Sequence, residues 1–321
     1  MGDYQIKKLL REEFHLLIPL MKDCFGINVN IKYFEWKYLH NPAGLVEGYL
    51  AISGSGEIAA FYGVIPEFYV INGEERIIYQ SCDTMTHSHH RRKGLFQKLA
   101  LHCYKNLEEQ NKLFIVGFGG GQSTPGFLKF GWRHLFNMRT FFYPKIYSWF
   151  IGNKADPHVV SVENIELLEK LVKISNANAK WHSNKTINVF KWRLSNPLHE
   201  YKLIAKQDDT GAYTSYLSYY VDQNKIVLFD FYFANMDEAR QLSNYVKRLL
   251  RKSGYKGITA FYQEKSMYAK TLKKIGFLLN PFTFGPLNQK TPFIFFASQE
   301  EMNKANKPEQ WLIGTFDHDS L

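Results

Sequence analysis

Apolar side chains recur at helical spacing after residue 94, behind a strand-like stretch and a basic turn. One face of the predicted helix collects its apolar residues: Leu95, Phe96, Leu99, Ala100, Cys103 and Leu107. In the stretch 83–87, the polar residues Asp83, Thr84, Thr86 and His87 alternate around Met85, which predicts the end of a strand. The apolar run 112–117 predicts a second, buried strand after the helix.

The turn between the first strand and the helix is suited to an anion. Arg91, Arg92 and Lys93 carry three positive charges, and Gly94 lets the backbone approach a ligand closely. The first N–H groups of a helix have no partner within the helix, and the helix dipole adds partial positive charge there. This segment therefore predicts a cradle for a pyrophosphate.

The turn resembles motif A of the GNAT acyltransferases, written (Gln/Arg)-x-x-Gly-x-(Gly/Ala). The matching residues are Arg91, Gly94 and Phe96, with a large aromatic side chain where the motif has a small one. The resemblance implies that the backbone of residues 92–96 meets the pyrophosphate of coenzyme A. It also implies that the backbone of residues 85–87 meets the pantetheine arm.

A second stretch resembles motif B of the same family. It follows a glycine-rich turn at 117–121 and covers residues 122–132. Lys129, Gly131 and Trp132 match the motif, whereas Phe127 replaces its usual tyrosine. Two motifs in the expected order around a strand identify the chain as similar to GNAT enzymes. Acetyl-CoA is then the expected co-substrate, bound by Met85, Thr86, His87, Arg91, Arg92, Lys93, Gly94, Leu95, Phe96, Ser123, Phe127 and Lys129.

Amine acylation requires that an ammonium lose a proton, since an alkyl amine has a pKa near ~10. Asp83 is the preferred base or ammonium anchor, and the alternative is a structural carboxylate paired with a core arginine or with backbone. With Phe127 in place of tyrosine, Ser123 is the preferred acid for the leaving thiolate. Thr124, Tyr143 or water are alternatives, and Ser123 also suits a helix N-cap.

The end of the chain offers two further carboxylates. Trp311 can anchor a tail that ends with Asp317, His318 and Asp319. In tandem GNAT proteins a terminus can reach the active cleft, so Asp317 and Asp319 are candidates for binding a cationic acceptor. The alternative is a docked tail without a catalytic role.

The chain contains a weak copy of itself. The segment 34–42 recurs at 190–197, one residue shorter, and residues 127–132 resemble 272–277. We therefore predict an α/β fold of two tandem GNAT-like domains, each with a twisted mixed, largely antiparallel sheet flanked by helices. The first, 1–150, is the catalytic domain that binds acyl-CoA. The second, 151–321, is degenerate, begins with a helix over 161–174, and includes the tail.

The second domain differs where the cofactor loop stands in the first. Asp230 corresponds to Asp83, but Asp237 and Glu238 occupy the start of the following helix. These acids cap a helix well and repel a pyrophosphate at the same place. The arrangement is similar to tandem antibiotic acetyltransferases and, more distantly, to Fem-type aminoacyltransferases.

Composition limits the class of protein, its partners and its compartment. The chain has 321 residues with 45% hydrophobic and 16% aromatic residues, enough for packed cores. Its net charge of +10 favours anionic partners. Three cysteines, Cys24, Cys82 and Cys103, show no metal spacing and favour a reducing cytoplasm. No apolar run approaches the about 20 residues that span a bilayer.

The histidines at 87, 89 and 90 lie at the edge of a basic loop, so we expect no metal there but solvated side chains or phosphate contacts. The predicted function is acyl-CoA-dependent N-acylation of a small amine such as an amino sugar, with nucleic acid not expected as a partner. Fem-like aminoacyl transfer from tRNA and a non-catalytic ligand sensor are the alternatives. The acceptor, the acyl length and the oligomeric state stay open.

Overall fold

The structure of the chain is a computed structural model that describes residues 4–120, 123–176, 179–279 and 290–318. The strands in these ranges are β1 Tyr4–Lys8, β2 Glu47–Ser53, β3 Ile58–Ile71, β4 Glu74–Thr86, β5 Phe114–Phe118, β6 Arg133–Pro144, β7 Val159–Ser161, β8 Trp181–Ser183, β9 Lys202–Gln207, β10 Tyr213–Asp222, β11 Lys225–Tyr232, β12 Gly257–Gln263, β13 Leu278–Leu279, β14 Lys290–Ala297 and β15 Trp311–Leu312. The α-helices are α1 Leu17–Phe25, α2 Ile31–Phe34, α3 Leu95–Glu109, α4 Thr124–Lys129, α5 Glu169–Ile174, α6 Ile187–Leu194, α7 Met236–Lys252, α8 Met267–Lys274 and α9 Gln299–Ala305.

One sheet runs through both halves of the chain in the order β1-β2-β3-β4-β5-β14-β6-β12-β11-β10-β9-β7. Most neighbours on this path are antiparallel, and β4 with β5 and β11 with β12 are parallel. Beside the path, β13 pairs with β6, and β8 pairs with β3 and β15. The predicted fold class, a mixed and largely antiparallel sheet flanked by helices, is confirmed.

The two halves exchange a strand at the centre of the sheet. β14, from the second half, pairs with β5, while β6, from the first half, pairs with β12. β6 and β14 also pair with each other. Because each half completes the sheet of the other, the sheet shows no break at the predicted boundary of 150/151. The division into two domains stays a prediction.

The sequence repeat has a structural counterpart. Trp36 and Trp192 stack with ring centroids 5.4 Å apart, and each indole Nε1 donates to the backbone oxygen of the other, at 2.6 and 2.8 Å. Gly131 after α4 and Gly276 after α8 adopt φ of +93° and +94°, a conformation that favours glycine. Corresponding landmarks of the two copies therefore occupy corresponding places.

Helices cover both faces of the sheet because each strand buries alternate residues on opposite sides. In β2, Tyr49 and Ala51 belong to the core under α3, and Leu50 belongs to the core under α1 and α2. The predicted apolar face of α3 is buried, apart from Phe96, which is partly buried. None of the helices in the described ranges is long and apolar enough to cross a membrane.

The helix predicted over 161–174 is shorter than expected. Ser161 ends β7, which pairs with β9, and the helical stretch begins at Ile165 as a 3-10 turn that continues into α5. Asn164 provides the physical reason, because its side chain accepts a hydrogen bond from Glu166 N and so caps the helix there.

Candidate functional site

Strand β4 separates from β5 before it reaches the candidate site. Their parallel register ends at Ser81 opposite Gly117, whereas β4 continues to Thr86. In this last stretch Asp83 has φ +45°, and the register between β3 and β4 shifts beside it. A left-handed residue with a shifted register marks a β-bulge, which bends the strand. The bend and the divergence leave room beside the end of β4.

The loop after β4 brings basic side chains to the N-terminus of α3. Arg92 and Gly94 have φ of +63° and +73°, so the backbone turns sharply at both. Gly94 is the N-cap, no described side chain caps the first turn, and that turn contains no acidic residue. The first N–H groups of α3 therefore meet neither a capping oxygen nor an opposing charge, which suits an anion.

A cleft of about 260 Å³ lies at this helix terminus. Its lining residues come from α1, β4, the loop, the start of α3 and the N-cap of α4: Cys24, Phe25, Thr84, Thr86, His90, Arg91, Arg92, Lys93, Gly94, Leu95, Phe96 and Ser123. Ser123 lies 29 positions beyond Gly94 in the sequence, yet it lines the same cavity as the loop.

Four predicted cofactor residues lie outside this lining. Met85 is buried in the core under α1, and Phe127 is buried in the core under α3. His87 turns its Nε2 toward Glu57 Oε1, 3.7 Å away. Lys129 is exposed at the end of α4. Their side chains are not part of the cleft wall, and their roles stay predictions.

The aromatic side chain that departs from motif A is accommodated by its neighbours. The Phe96 ring packs against Phe127 and Phe130, with centroids 4.9 and 5.4 Å away. Gly126 leaves room for it, since a Cβ at that position would lie 3.0 Å from the Phe96 ring. Phe127 in turn contacts Trp132 at 4.5 Å. The two departures from the motifs, Phe96 and Phe127, therefore form one aromatic cluster.

Of the candidate acids, Ser123 is the one in the cleft wall. Its Oγ accepts a hydrogen bond from Gly120 N at 3.2 Å, and it caps no N–H of α4 among the described residues. The Thr124 hydroxyl donates to Gly120 O at 2.7 Å. Tyr143 lies in the core of the second half, where burial raises its pKa to about 12. The structure therefore does not bring Tyr143 to the cleft.

Asp83 is engaged in a buried cluster. Its Oδ2 lies 2.8 Å from Lys37 Nζ and accepts a hydrogen bond from Tyr38 OH at 2.7 Å. The Asp83 side chain is 5% exposed and the Lys37 side chain is fully buried. A lysine takes the place of the core arginine that the structural alternative expected. Asp83 is not in the cleft wall, so its role as a base stays a prediction.

The C-terminal tail returns to the centre of the sheet. Gln80 Nε2 donates to Asp317 O at 2.7 Å, and the His318 ring lies 4.3 Å from that of Phe118 at the end of β5. The Asp317 carboxylate accepts a hydrogen bond from Gly314 N at 2.7 Å, and burial raises its pKa. It lines a small cavity near Arg193 and not the cleft. Asp319 lies outside the described residues.

Metal-ligating side chains also meet beside the loop. Ligand atoms of Glu57, His87 and His89 lie within 4.8 Å of one another. His90 Nε2 lies 2.9 Å from Glu57 Oε2, and its Nδ1 lies 2.9 Å from Tyr4 OH. His90 lines the cleft as well, but it is buried rather than solvated and both of its ring nitrogens have partners, so the predicted phosphate contact stays a prediction. The expected absence of a metal stays a prediction.

The structure adds cleft residues that the sequence did not indicate. Cys24 and Phe25 end α1, and Cys24 Sγ donates to Thr86 O at 3.4 Å. Asp23 receives hydrogen bonds from Ser88 N and Oγ, at 2.8 and 2.9 Å, which tie α1 to the loop and lower the Asp23 pKa. No local pattern links residues so far apart. Burial raises the pKa of the Cys103 thiol, in agreement with the predicted core role.

Comparison with known proteins finds a family model that matches the first part of the chain. Residues 5–135 match the model of the acetyltransferase (GNAT) domain. None of the curated proteins compared with the sequence matches it.

Solved structures share the fold over nearly the whole chain. A probable N-acyltransferase from Enterococcus faecalis superposes with a TM-score of 0.68 at 10% identity, covering 92% of this chain and 73% of that one. N-myristoyltransferase from Saccharomyces cerevisiae, with bound myristoyl-CoA, has a TM-score of 0.66 at 12% identity, with coverages of 92% and 83%. A GCN5-related N-acetyltransferase from Anabaena variabilis has a TM-score of 0.65 at 12% identity, with coverages of 91% and 72%. At such identities the likeness establishes the fold alone.

Proposed function

We propose that this chain, whose residues 5–135 match the model of the acetyltransferase (GNAT) domain, belongs to that family and is an N-acyltransferase that uses acyl-CoA. The acyl group that we propose is acetyl, and the acceptor is the amine of a small metabolite such as an amino sugar. One observation carries the proposal. The cleft beside the open end of β4 combines an uncapped helix N-terminus with Arg91, Arg92 and Lys93.

In this proposal the loop binds the pyrophosphate of acyl-CoA. The anion is bound by the N–H groups at the start of α3 and by the left-handed turn at Arg92 and Gly94, and the basic side chains add positive charge. Beyond Ser81, β4 has no β5 partner opposite it, so its backbone from Asp83 to Thr86 borders the gap. We propose that the thioester lies along this edge, where the bulge bends the strand.

Acyl transfer forms the N–C bond and breaks the C–S bond, so one proton leaves the amine and one reaches the thiolate. We propose Ser123 as the donor to the thiolate, because its Oγ lies in the cleft wall and is oriented by Gly120 N. Asp83 contacts Lys37 and Tyr38. Asp83 and Asp317 both lie outside the cleft wall, and Asp319 lies outside the described residues, so we keep all three as candidates for receiving the proton from the amine.

A second candidate function follows from Phe127. It stands where the family motif has the tyrosine that protonates the thiolate, and it is buried in the aromatic cluster. A protein that binds acyl-CoA without transferring the acyl group would need no such acid. We keep this ligand-sensing role as the alternative.

The test combines binding with turnover. Calorimetric titration with acetyl-CoA should give one site per chain, and thiol release should appear with at least one member of a panel of amino sugars and polyamines. Myristoyl-CoA serves as the comparison for acyl length. Binding without thiol release on any amine would favour the sensor. Failure of acetyl-CoA and myristoyl-CoA to bind at all would overturn both functions.

A further inference from the structure

The segment that joins β6 to β7 displays four large apolar side chains to solvent. Ile146, Tyr147, Trp149 and Phe150 are 62%, 41%, 64% and 84% exposed. They belong to one short 3-10 helix, Lys145–Phe150, so they form a single patch. Isolated apolar side chains are normal on a protein surface, but a contiguous group of this size marks an interaction site.

The exposure of these side chains does not result from a loose backbone. Ser148, in its middle, is buried and donates to Lys145 O at 2.6 Å. Arg251, from the last turn of α7, donates to Ile151 O at 2.8 Å and to Asn153 Oδ1 at 2.6 Å. The backbone is therefore held from below, and the apolar side chains are directed outward from a fixed support. A groove of about 450 Å³ lies between Trp149, Phe150 and Arg251.

Basic residues flank the patch. Lys145 begins the 3-10 helix and donates through its Nζ to Ser253 O, Lys154 follows the helix, and Arg251 lies beneath the patch next to Lys252. The backbone of Lys145 is bonded to that of Lys256, which is exposed. The carboxylate of Asp156 on the same segment is bound by Lys206 at 2.8 Å. Exposed lysines at 154, 252 and 256 therefore lie on the segments that adjoin the patch.

We propose that this patch, Ile146, Tyr147, Trp149 and Phe150, docks the protein on an anionic phospholipid surface. Tryptophan and tyrosine are the residues that favour the boundary between headgroups and acyl chains. Apolar side chains insert into that boundary, and nearby lysines and arginines are attracted to anionic headgroups. A partner protein of matching shape would need acidic groups around an apolar pocket, whereas a lipid surface supplies both properties without a defined shape. The attachment is to the surface, and it is independent of the proposed transfer reaction.

The test is sedimentation of the full chain with vesicles. Vesicles of phosphatidylcholine containing phosphatidylserine should bind the protein, pure phosphatidylcholine should bind it weakly, and added salt should weaken binding to the anionic vesicles. Trp149→Ser with Phe150→Ser should reduce binding by about tenfold or more, because most of the inserted apolar surface is removed. Lys154→Glu with Lys252→Glu should reduce binding to anionic vesicles alone.

Matched controls come from elsewhere on the surface. Leu167→Ser removes an apolar side chain that is 62% exposed, and Lys105→Glu reverses a charge on α3. Both should bind vesicles like the parent chain, and thermal unfolding should confirm that all variants fold. Vesicle binding that persists in the Trp149 and Phe150 double variant would overturn the proposal. So would a stable dimer that this variant dissociates, since the patch would then contact a second copy of the chain.

Discussion

Helices α3 and α7 follow corresponding strands of the two halves, yet their N-termini offer opposite environments to an anion. At α3, Gly94 stands at the N-cap, and Arg91 and Lys93 precede the helix. At α7, the Asn235 side chain accepts hydrogen bonds from the N–H groups of Asp237 and Glu238, and both of these residues are acidic. The N-terminus of α7 is therefore closed and negative, while that of α3 is open and positive.

Glu238 has a structural role at the N-terminus of α7 in addition to its charge. Its carboxylate accepts hydrogen bonds from Thr214 and Ser215 of β10, at 2.7 and 2.5 Å. The acid at the start of α7 thus ties the helix to the sheet, and it stabilises the fold at the place where α3 leaves room for a ligand. The same scaffold therefore carries an open, basic helix N-terminus in one half and a capped, acidic one in the other, and the residues at the cap make the difference.

The two halves agree, by contrast, at their buried aspartates. Asp230 Oδ1 lies 2.6 Å from Lys185 Nζ, and its Oδ2 accepts from Tyr216 OH at 2.6 Å. Asp83 has the same pair of partners, a lysine and a tyrosine. A cluster that recurs in the half whose α7 terminus is capped and acidic supports a structural role for both aspartates.

The largest expected effect tests this agreement. Asp83→Asn and Asp230→Asn each remove a negative charge that stands beside a buried ammonium, so each should lower the free energy of unfolding by about 3 kcal/mol or more. Denaturant unfolding is the measurement, with Asp209→Asn in an exposed turn as the control. An Asp83→Asn variant of parental stability that loses turnover would make Asp83 the base and end the analogy with Asp230.

The second effect concerns the buried faces of the two helices. Lys247 of α7 takes the position in the buried pattern that Tyr104 takes in α3. Burial lowers the Lys247 pKa from 10.5 to about 8, and its Nζ donates to Ile275 O at 2.6 Å. Between these two pH values the unfolded chain binds more protons than the folded one, so stability should rise with pH.

Lys247→Met should be more stable than the parent at neutral pH, and the difference should shrink by on the order of 2 to 3 kcal/mol between pH 8 and 10.5. Urea unfolding across this range measures the difference between the two chains, which cancels the titration of groups that they share. Lys105→Met, on the exposed face of α3, is the control. Parallel pH profiles of parent and Lys247→Met would contradict the assignment.

The third effect is on the cofactor loop. Arg91→Glu with Lys93→Glu places like charge against a pyrophosphate, so CoA should bind about tenfold more weakly or worse, and binding should lose its salt sensitivity. Arg240→Glu, which adds an acid near the start of α7, should leave CoA affinity unchanged. Calorimetric titration with CoA measures both variants. Equal CoA affinities in the two variants would place the cofactor elsewhere.

The smallest effect is at the cap of α7. Asn235→Ala removes the oxygen that accepts from two backbone N–H groups, and it should cost about 1 kcal/mol of stability. The uncapped terminus should still not bind CoA, because Asp237 and Glu238 remain. Denaturant unfolding and a CoA titration check the two statements, and a second CoA site in this variant would show that the cap alone excluded it.

Much of the candidate site was predictable because its signals are local. The charges of Arg91 to Lys93, the glycine at 94 and the helical spacing after it lie within one continuous segment. The same holds for the α3 face, where periodicity alone identified five of the six buried residues and missed Tyr104. The prediction for 161–174 was wrong at its start because Ser161 belongs to β7, which pairs with a strand about 45 residues away, and Asn164 caps the helical stretch only after it. Pairing with a remote strand leaves no trace in helical spacing.

The loop, the helix it precedes, the repeat and the acidic start of α7 were all predictable from residue type and short spacing. The exchange of β6 and β14, the position of Cys24 and Phe25 in the cleft wall and the pairing of Asp83 with Lys37 became evident from the packed chain alone. The physical reason is that burial and pairing depend on which remote elements pack together. A carboxylate's surroundings are therefore set by the fold, even where its position in a motif is plain.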